Sequence, residues 1–149
     1  MIKILLVDDE KDIRKLLEET LKRKDYEILQ AGTGDDALVI SIKKKPDLIL
    51  MDIMMPGALS GIEATRNLKA DVRTKQSKVI ILTSSSTAYE EAMNAGADAY
   101  FSKPYSPLEL LRKIDELVGE IYLERDEEVR LSSSHLRGLQ SARTENAPN

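Results

Sequence analysis

The 149-residue chain has no cysteine and no tryptophan, and it has one phenylalanine and one histidine. Without thiols, disulfide frameworks, thiolate nucleophiles, zinc knuckles and iron–sulfur clusters are excluded. The one histidine, His135, lies in the polar C-terminal stretch. A Ser-His-Asp site or a histidine-ligated metal therefore cannot be built in the main body. Long apolar runs are missing as well. The run Ile4 to Val7 is stopped by Asp8, too soon for a signal peptide's apolar region or a membrane span, so a soluble, cytoplasmic protein is expected. Positive charge is not in excess: 22 Lys and Arg against 26 Asp and Glu give a formal net charge of −4. That balance argues against a general nucleic-acid-binding surface. What remains for chemistry is carboxylate, hydroxyl and lysine, on a chain whose 42% apolar residues suffice for one core.

Four short β-type runs stand out, Ile2–Val7, Tyr26–Ala31, Asp47–Met51 and Lys78–Leu82, with a weaker fifth at Ala99–Phe101. Three of them are near-continuous apolar stretches, as parallel strands covered on both faces require. Helical patterns lie between them. Ile13, Leu16, Leu17, Thr20 and Leu21 follow the spacing of one buried helix face. Start signals recur at Thr33 with Asp36, Ser60 with Glu63, Thr87 with Glu90, and Ser106 with Glu109. In each, a hydroxyl and an acid three residues on can satisfy free amide groups, and Pro107 falls at the favoured first helical position. Gly96 stands where a left-handed cap is wanted. Five strand–helix units predict an α/β fold, a doubly wound five-stranded parallel sheet of (βα)5 type with the flavodoxin-like strand order 2-1-3-4-5.

Leu110, Ile114, Leu117 and Ile121 keep a 4-3-4 seam, so the fifth helix is expected to continue through the charged stretch Glu124–Arg130. After Leu131 the composition turns to Ser132-Ser133-Ser134 and scattered polar residues. This reads as a tail with at most a short helix around Leu136 and Leu139. The expected division is a folded domain over 1–122 and a helix 5 extension with a polar C-terminal tail over 123–149.

Open α/β sheets bind ligands outside the carboxyl ends of their strands, where strand order reverses. Asp8 and Asp9 follow the first strand directly and Asp52 follows the third, while Thr83 ends the fourth and Lys103 follows the fifth. Taken singly, each has an ordinary explanation. Asp8 or Asp9 could cap the first helix with Asp12, Asp52 could be a turn residue, Thr83 a strand-end hydroxyl and Lys103 a surface charge. Together they are harder to dismiss. Two carboxylates about 4 Å apart repel by roughly 4 kcal/mol at an effective dielectric near 20, so three need a compensating cation. Lys103 supplies one positive charge, and Mg²⁺, a hard ion that shares its shell with phosphate, suits the rest. Acids, lysine and hydroxyl at one rim describe a phosphoryl-transfer site. With no activated serine or cysteine to hand, Asp52 is the candidate to accept the group as an acyl phosphate.

The segments Val7-Asp8-Asp9-Glu10, Leu50 to Gly57 (LMDIMMPG), Ile81-Leu82-Thr83 and Gly96 to Pro104 (GADAYFSKP) resemble the receiver domain of two-component response regulators, over roughly residues 1–122. The resemblance implies Asp52 as phosphoacceptor. It implies Mg²⁺ held by Asp9, Asp52 and the backbone carbonyl of Met54, with Asp8 acting mainly through water. Thr83, Ser84 and Lys103 would bind phosphoryl oxygens, Lys103-Pro104 would be a cis peptide, and Thr83 and Tyr100 would be the switch pair. The ordinary alternative for Tyr100 is a half-buried strand tyrosine. Met54 and Ser85 lie where the family tunes phosphoryl lifetime. Two departures stand out. The loop Pro56 to Gly61 is one residue longer than the common form, and the stretch from Thr83 to Gly96 is about two residues short, so the fourth helix or the loop before it must be trimmed.

The resemblance implies a phosphorylation-activated signalling switch that is not an enzyme beyond its own phosphorylation and dephosphorylation. Its partners would be a sensor histidine kinase or phosphotransfer protein and a downstream protein target, with neither nucleic acid nor membrane bound directly. Through Leu117, Ile121 and the residues after them, the fifth helix could also dock a partner or a second copy, the latter giving a homodimer. With no DNA-binding domain legible after the receiver, a stand-alone adaptor or phosphorelay intermediate is the natural expectation. The alternatives are a non-phosphorylated interaction module and the receiver fragment of a longer regulator. A haloacid-dehalogenase-type phosphatase would need a second acid two residues after Asp52, where Met54 stands. A flavodoxin would need a hydroxyl-rich phosphate loop where Asp8-Asp9-Glu10 stand.

Overall fold

The computed structural model describes residues 1–22, 25–55 and 57–145, with side chains through residue 138. Pro56 of the predicted turn and the last four residues lie outside the described set. Five strands, β1 (Ile2–Val7), β2 (Tyr26–Ala31), β3 (Leu48–Met51), β4 (Lys78–Thr83) and β5 (Ala99–Ser102), alternate with five helices, α1 (Lys11–Leu21), α2 (Gly34–Lys44), α3 (Gly61–Ala70), α4 (Tyr89–Asn94) and α5 (Pro107–Glu145). All strand pairs are parallel and the order is β2-β1-β3-β4-β5, as the sequence predicts.

The apolar runs explain this arrangement. Every residue of β3 is buried, and β1 and β4 are buried except at Lys3 and Lys78. Strands of this kind are stable only with helices on both faces. Leu5, Val7, Ile49, Met51, Val79 and Ile81 form one core layer together with Ala37, Ala64 and Leu68 of the covering helices. The helix starts follow local chemistry. The Asp36 N–H donates to Thr33 Oγ1 at 3.1 Å, Glu63 N–H to Ser60 Oγ at 3.2 Å, and Glu109 N–H to Ser106 Oγ at 3.4 Å. Gly96 takes φ 103° after α4, the left-handed cap its position predicts.

Three readings are corrected. The Thr87 start signal is not used. Ala88 precedes α4 without a side-chain cap, and the Thr87 N–H is drawn instead to Ser85 Oγ at 3.4 Å, a local turn that competes with helix initiation. Leu16 does not join the buried face of α1: it is 61% exposed, whereas Leu17 and Leu21 are buried. It lines a shallow apolar groove with Ile13, Pro104, Tyr105, Pro107 and Leu110. Periodicity identifies the apolar stripe but not its outer margin. Finally, α5 runs unbroken to Glu145 where a polar tail was expected after Leu131. No proline interrupts residues 108–145, and serine is a tolerable helix residue when its neighbours are good formers. The side chain of Leu139 lies outside the described set.

The chain resolves into two compact units, Met1–Ile114 and Asp115–Asn149. The first holds the sheet, α1 to α4 and the start of α5; within the second, the described residues continue α5. No helix among the described residues is long and apolar enough to cross a membrane.

Ser41 of α2 is fully buried, and its hydroxyl has no hydrogen-bond partner among the described residues. Its replacement removes a desolvated polar group and gains helix propensity. Ser41→Ala should therefore stabilise the fold by about 1 kcal/mol, read as a higher urea midpoint at unchanged slope; a loss of stability would contradict this account.

Candidate functional site

The site follows from register. β1 pairs with β3 so that Val7 lies opposite Met51, which sets Asp8 and Asp52 side by side one residue beyond the ladder. Backbone bonds fix both: Asp8 N–H donates to Ala31 O at 3.2 Å and Asp52 N–H to Val7 O at 2.9 Å. Asp8, Asp9 and Asp52 each offer a carboxylate oxygen within 4.8 Å of the others. Asp8 and Asp52 are buried and Asp9 is exposed. On the other side, Thr83 lies opposite Ser102, and Lys103 N–H donates to Thr83 O at 2.7 Å. That bond delivers the Lys103 ammonium to the acids, 3.5 Å from Asp8 Oδ2. The Lys103–Pro104 peptide is cis.

The acids are held by turns rather than by helix capping. Glu10 N–H donates to Asp8 Oδ1 at 2.9 Å, and Met54 N–H to Asp52 Oδ1 at 3.3 Å. Neither Asp8 nor Asp9 caps α1, whose N-cap is Glu10 with no side-chain bond. Thr83 is fully buried, and its Oγ1 accepts the Ser85 N–H at 3.2 Å. Ser84 is exposed beside it, and Met54 is exposed at 66%. Tyr100 is half-buried and packs edge-on against Tyr89, with ring centroids 5.5 Å apart. Its hydroxyl donates to the backbone carbonyl of Ser85. Tyr100 and Thr83 thus meet at the backbone of one residue, Ser85. The trimmed stretch expected between Thr83 and Gly96 appears as α4, only six residues long.

Electrostatically the site is frustrated. The Asp52 carboxyl is pushed above its ordinary 3.8, first by burial and then by the negative charge of Asp8. Lys103 and the backbone N–H groups of Met54 and Ile53 pull it the other way without cancelling the rise. One lysine does not neutralise three carboxylates. Oxygens of this number and spacing suit a small hard cation, reached directly or through water.

Three contributors were not read from the sequence. Arg14 Nη1 donates to the carbonyl of Asp8 at 2.5 Å, while its Nε holds Gln30 Oε1 at 3.1 Å, pinning the loop that carries the acids. The Tyr105 hydroxyl has its pKa raised by burial and by the charge of Asp8. Gly61 opens α3 against the turn after β3: its N–H donates to Ile53 O at 3.0 Å, and a Cβ there would lie 1.9 Å from the carbonyl oxygen of Asp52. Its only sequence signal was its place directly after the Ser60 cap; nothing in the periodicity announced so close an approach.

Gly61→Ala must push α3 away from the Asp52 turn, an overpacking that should cost about 1–3 kcal/mol or more, visible as a lower denaturation midpoint; a midpoint equal to the parent's would refute the contact. A second test concerns pH in the metal-free protein. Because the raised pKa makes the folded state bind a proton more tightly than the unfolded chain, Asp52 favours folding below 3.8. That contribution is lost as pH rises through the higher folded value. Asp52→Asn should accordingly stabilise the metal-free protein at about pH 7.5, with the gain shrinking toward zero near about pH 3. A pH-independent gain would show that ionisation is not its source.

Comparison with known proteins agrees with this geometry. The response regulator receiver domain family matches residues 4–115. The phosphate regulon transcriptional regulatory protein PhoB of Pseudomonas aeruginosa is 41% identical over 113 residues, covering 74% of this chain and 49% of that protein. The transcriptional regulatory protein ResD of Bacillus subtilis is 39% identical over 118 residues, covering 78% and 48%. The chain thus spans about half the length of the curated relatives it matches. Among solved structures, a CheY-like response regulator receiver domain protein of Methanospirillum hungatei superposes with a TM-score of 0.76 at 32% identity, covering 83% of this chain and 98% of that one. The receiver domain of sensor histidine kinase PA1611 of Pseudomonas aeruginosa, solved with magnesium coordinated in its active-site cleft, gives 0.71 at 29%, covering 79% and 98%. Strand order, acid placement and these likenesses converge: the chain belongs to the response regulator receiver domain family.

Proposed function

We propose that this receiver takes a phosphoryl group on Asp52 from a sensor histidine kinase or phosphotransfer protein and that the modified form changes its binding to a downstream protein. The observation that carries the reading is the meeting of Asp8, Asp9 and Asp52 within 4.8 Å, with the Lys103 ammonium 3.5 Å from Asp8. Asp9, Asp52 and the Met54 carbonyl would hold Mg²⁺, with Asp8 reaching it through water. The magnesium described in the related PA1611 receiver supports that choice of ion. When bound, the ion offsets the mutual repulsion of the carboxylates and the charge on the incoming phosphoryl oxygens.

The chain's own residues then divide the work. An Asp52 carboxylate oxygen attacks phosphorus in line, an O–P bond forms, and the P–N bond to the donor imidazole breaks, the histidine leaving with its electron pair. The Lys103 ammonium and the Thr83 hydroxyl bind the phosphoryl oxygens, with exposed Ser84 beside them. Self-dephosphorylation is attack by water on the same phosphorus, returning Asp52 and inorganic phosphate.

The output follows from the Ser85 junction. Thr83 Oγ1 accepts the Ser85 N–H, so a shift of Thr83 that carries its hydroxyl toward a phosphoryl group acts on Ser85. Ser85 also provides the carbonyl that holds Tyr100. Added charge of about −1.5 to −2 on Asp52 is thereby coupled to the Tyr100 ring through one residue. The same reading includes self-association through the α5 extension, not through Leu117 and Ile121, which are buried, but through the part that exposes Leu123, Val129, Leu131 and Leu136, and assigns 1–122 to the receiver and 123–149 to that extension.

Incubation with acetyl phosphate and Mg²⁺ should add one phosphoryl group by intact mass. EDTA or Asp52→Asn should abolish the addition. No addition to the parent protein, or an undiminished one in Asp52→Asn, would overturn the assignment.

A further inference from the structure

The second unit, taken by itself, is a helix whose composition is divided along its length. Residues 115–128 carry seven Asp and Glu and one Arg, whereas 129–145 carry three Arg and one Glu. Along the same helix, Val118, Tyr122, Arg125, Val129, Ser132 and Leu136 recur at alternating intervals of four and three, which places them on one line down the surface. Tyr122, Val129 and Leu136 repeat every seven residues and are 50%, 64% and 58% exposed. Leu123 and Leu131 fall on other faces and do not extend the line.

We propose that this seam is covered by the same segment of a second copy of the chain, running antiparallel. The inference deepens the proposed self-association and is independent of phosphoryl transfer. Two observations set the direction. In a parallel pair the acidic halves would lie against each other, seven acids beside seven, whereas reversal lays each acidic half along the basic half of its partner. In a parallel pair Arg125 would also face its own copy in the middle of the seam. Reversed, it meets an apolar position of the partner and can lay its methylene stem along it. The helix itself calls for a cover. It contains Gly119, Gly138 and three consecutive serines, and helices of such composition depend on packing of an apolar face rather than on propensity.

The test uses the full chain. Sedimentation equilibrium should give twice the monomer mass at low salt. Raising the salt should weaken the pair, because its halves attract; a parallel pair would be strengthened. Val129→Asp should return the monomer mass while acetyl phosphate still modifies Asp52, which separates failure of this pairing from failure of the phosphoreceiver reading and shows that the variant is folded. Direction is read with a spin label on Gly119→Cys, which flanks the seam where a side chain meets open space, in a chain with no other cysteine. A reversed pair offsets the two labels by about 20–30 Å along the helix axis, whereas a parallel pair leaves no axial offset and a separation of roughly 10–20 Å. A monomeric parent at all concentrations tested overturns the pairing, and short label distances in a dimer overturn its direction.

Discussion

The structure is organised around charges of one sign that the backbone forces together. Parallel pairing of β1 with β3, Val7 opposite Met51, leaves Asp8 and Asp52 no choice but to be neighbours at the sheet edge. Burial deprives them of water, and repulsion raises the Asp52 pKa. Such a site is stable only because the apolar ladder beneath it is strong enough to hold it. Leu5, Val7, Ile49, Met51, Val79 and Ile81 are almost completely shielded from solvent. Fold stability is thus spent on a patch of like charge that is unfavourable until a cation compensates it, the usual relation between a rigid scaffold and a strained functional edge.

That relation explains what could be read without coordinates. Strands announce themselves by composition when both faces are covered, so β1, β3 and β4 were legible almost to the residue. Residues that follow such strands must lie at the carboxyl edge, which is why Asp8, Asp9, Asp52, Thr83 and Lys103 could be placed together from order alone. Three of the four hydroxyl caps were legible because capping is local chemistry. Thr87 failed for the same reason: Ser85, two residues away, offered its backbone a competing partner.

What could not be read depends on distance in space rather than position in sequence. The contact of Gly61 with the Asp52 carbonyl, and the reach of Arg14 from α1 back to Asp8, exist only once two elements have packed. Leu16 sits within the apolar stripe by spacing and outside the core by geometry. The helix beyond Leu131 was masked by its serines, whose local preference is weaker than the continuity of a helix already formed.

The opposite edge of the sheet is fastened quite differently. Lys69 Nζ binds Asp98 Oδ2 at 2.9 Å and Ser77 O at 2.7 Å, Asp98 Oδ2 also accepts the Val79 N–H at 2.8 Å, and Ser77 Oγ donates to Pro46 O at 2.6 Å. These bonds rivet the beginnings of β4 and β5 to α3, while the end of β4 leads into a short loop and a helix of two turns at most. A strand clamped at its base cannot slide to relieve a load applied at its tip. Any displacement imposed at the acidic rim must therefore be expressed locally, in the segment with the fewest bonds to break, rather than dissipated as a rigid shift of the whole sheet.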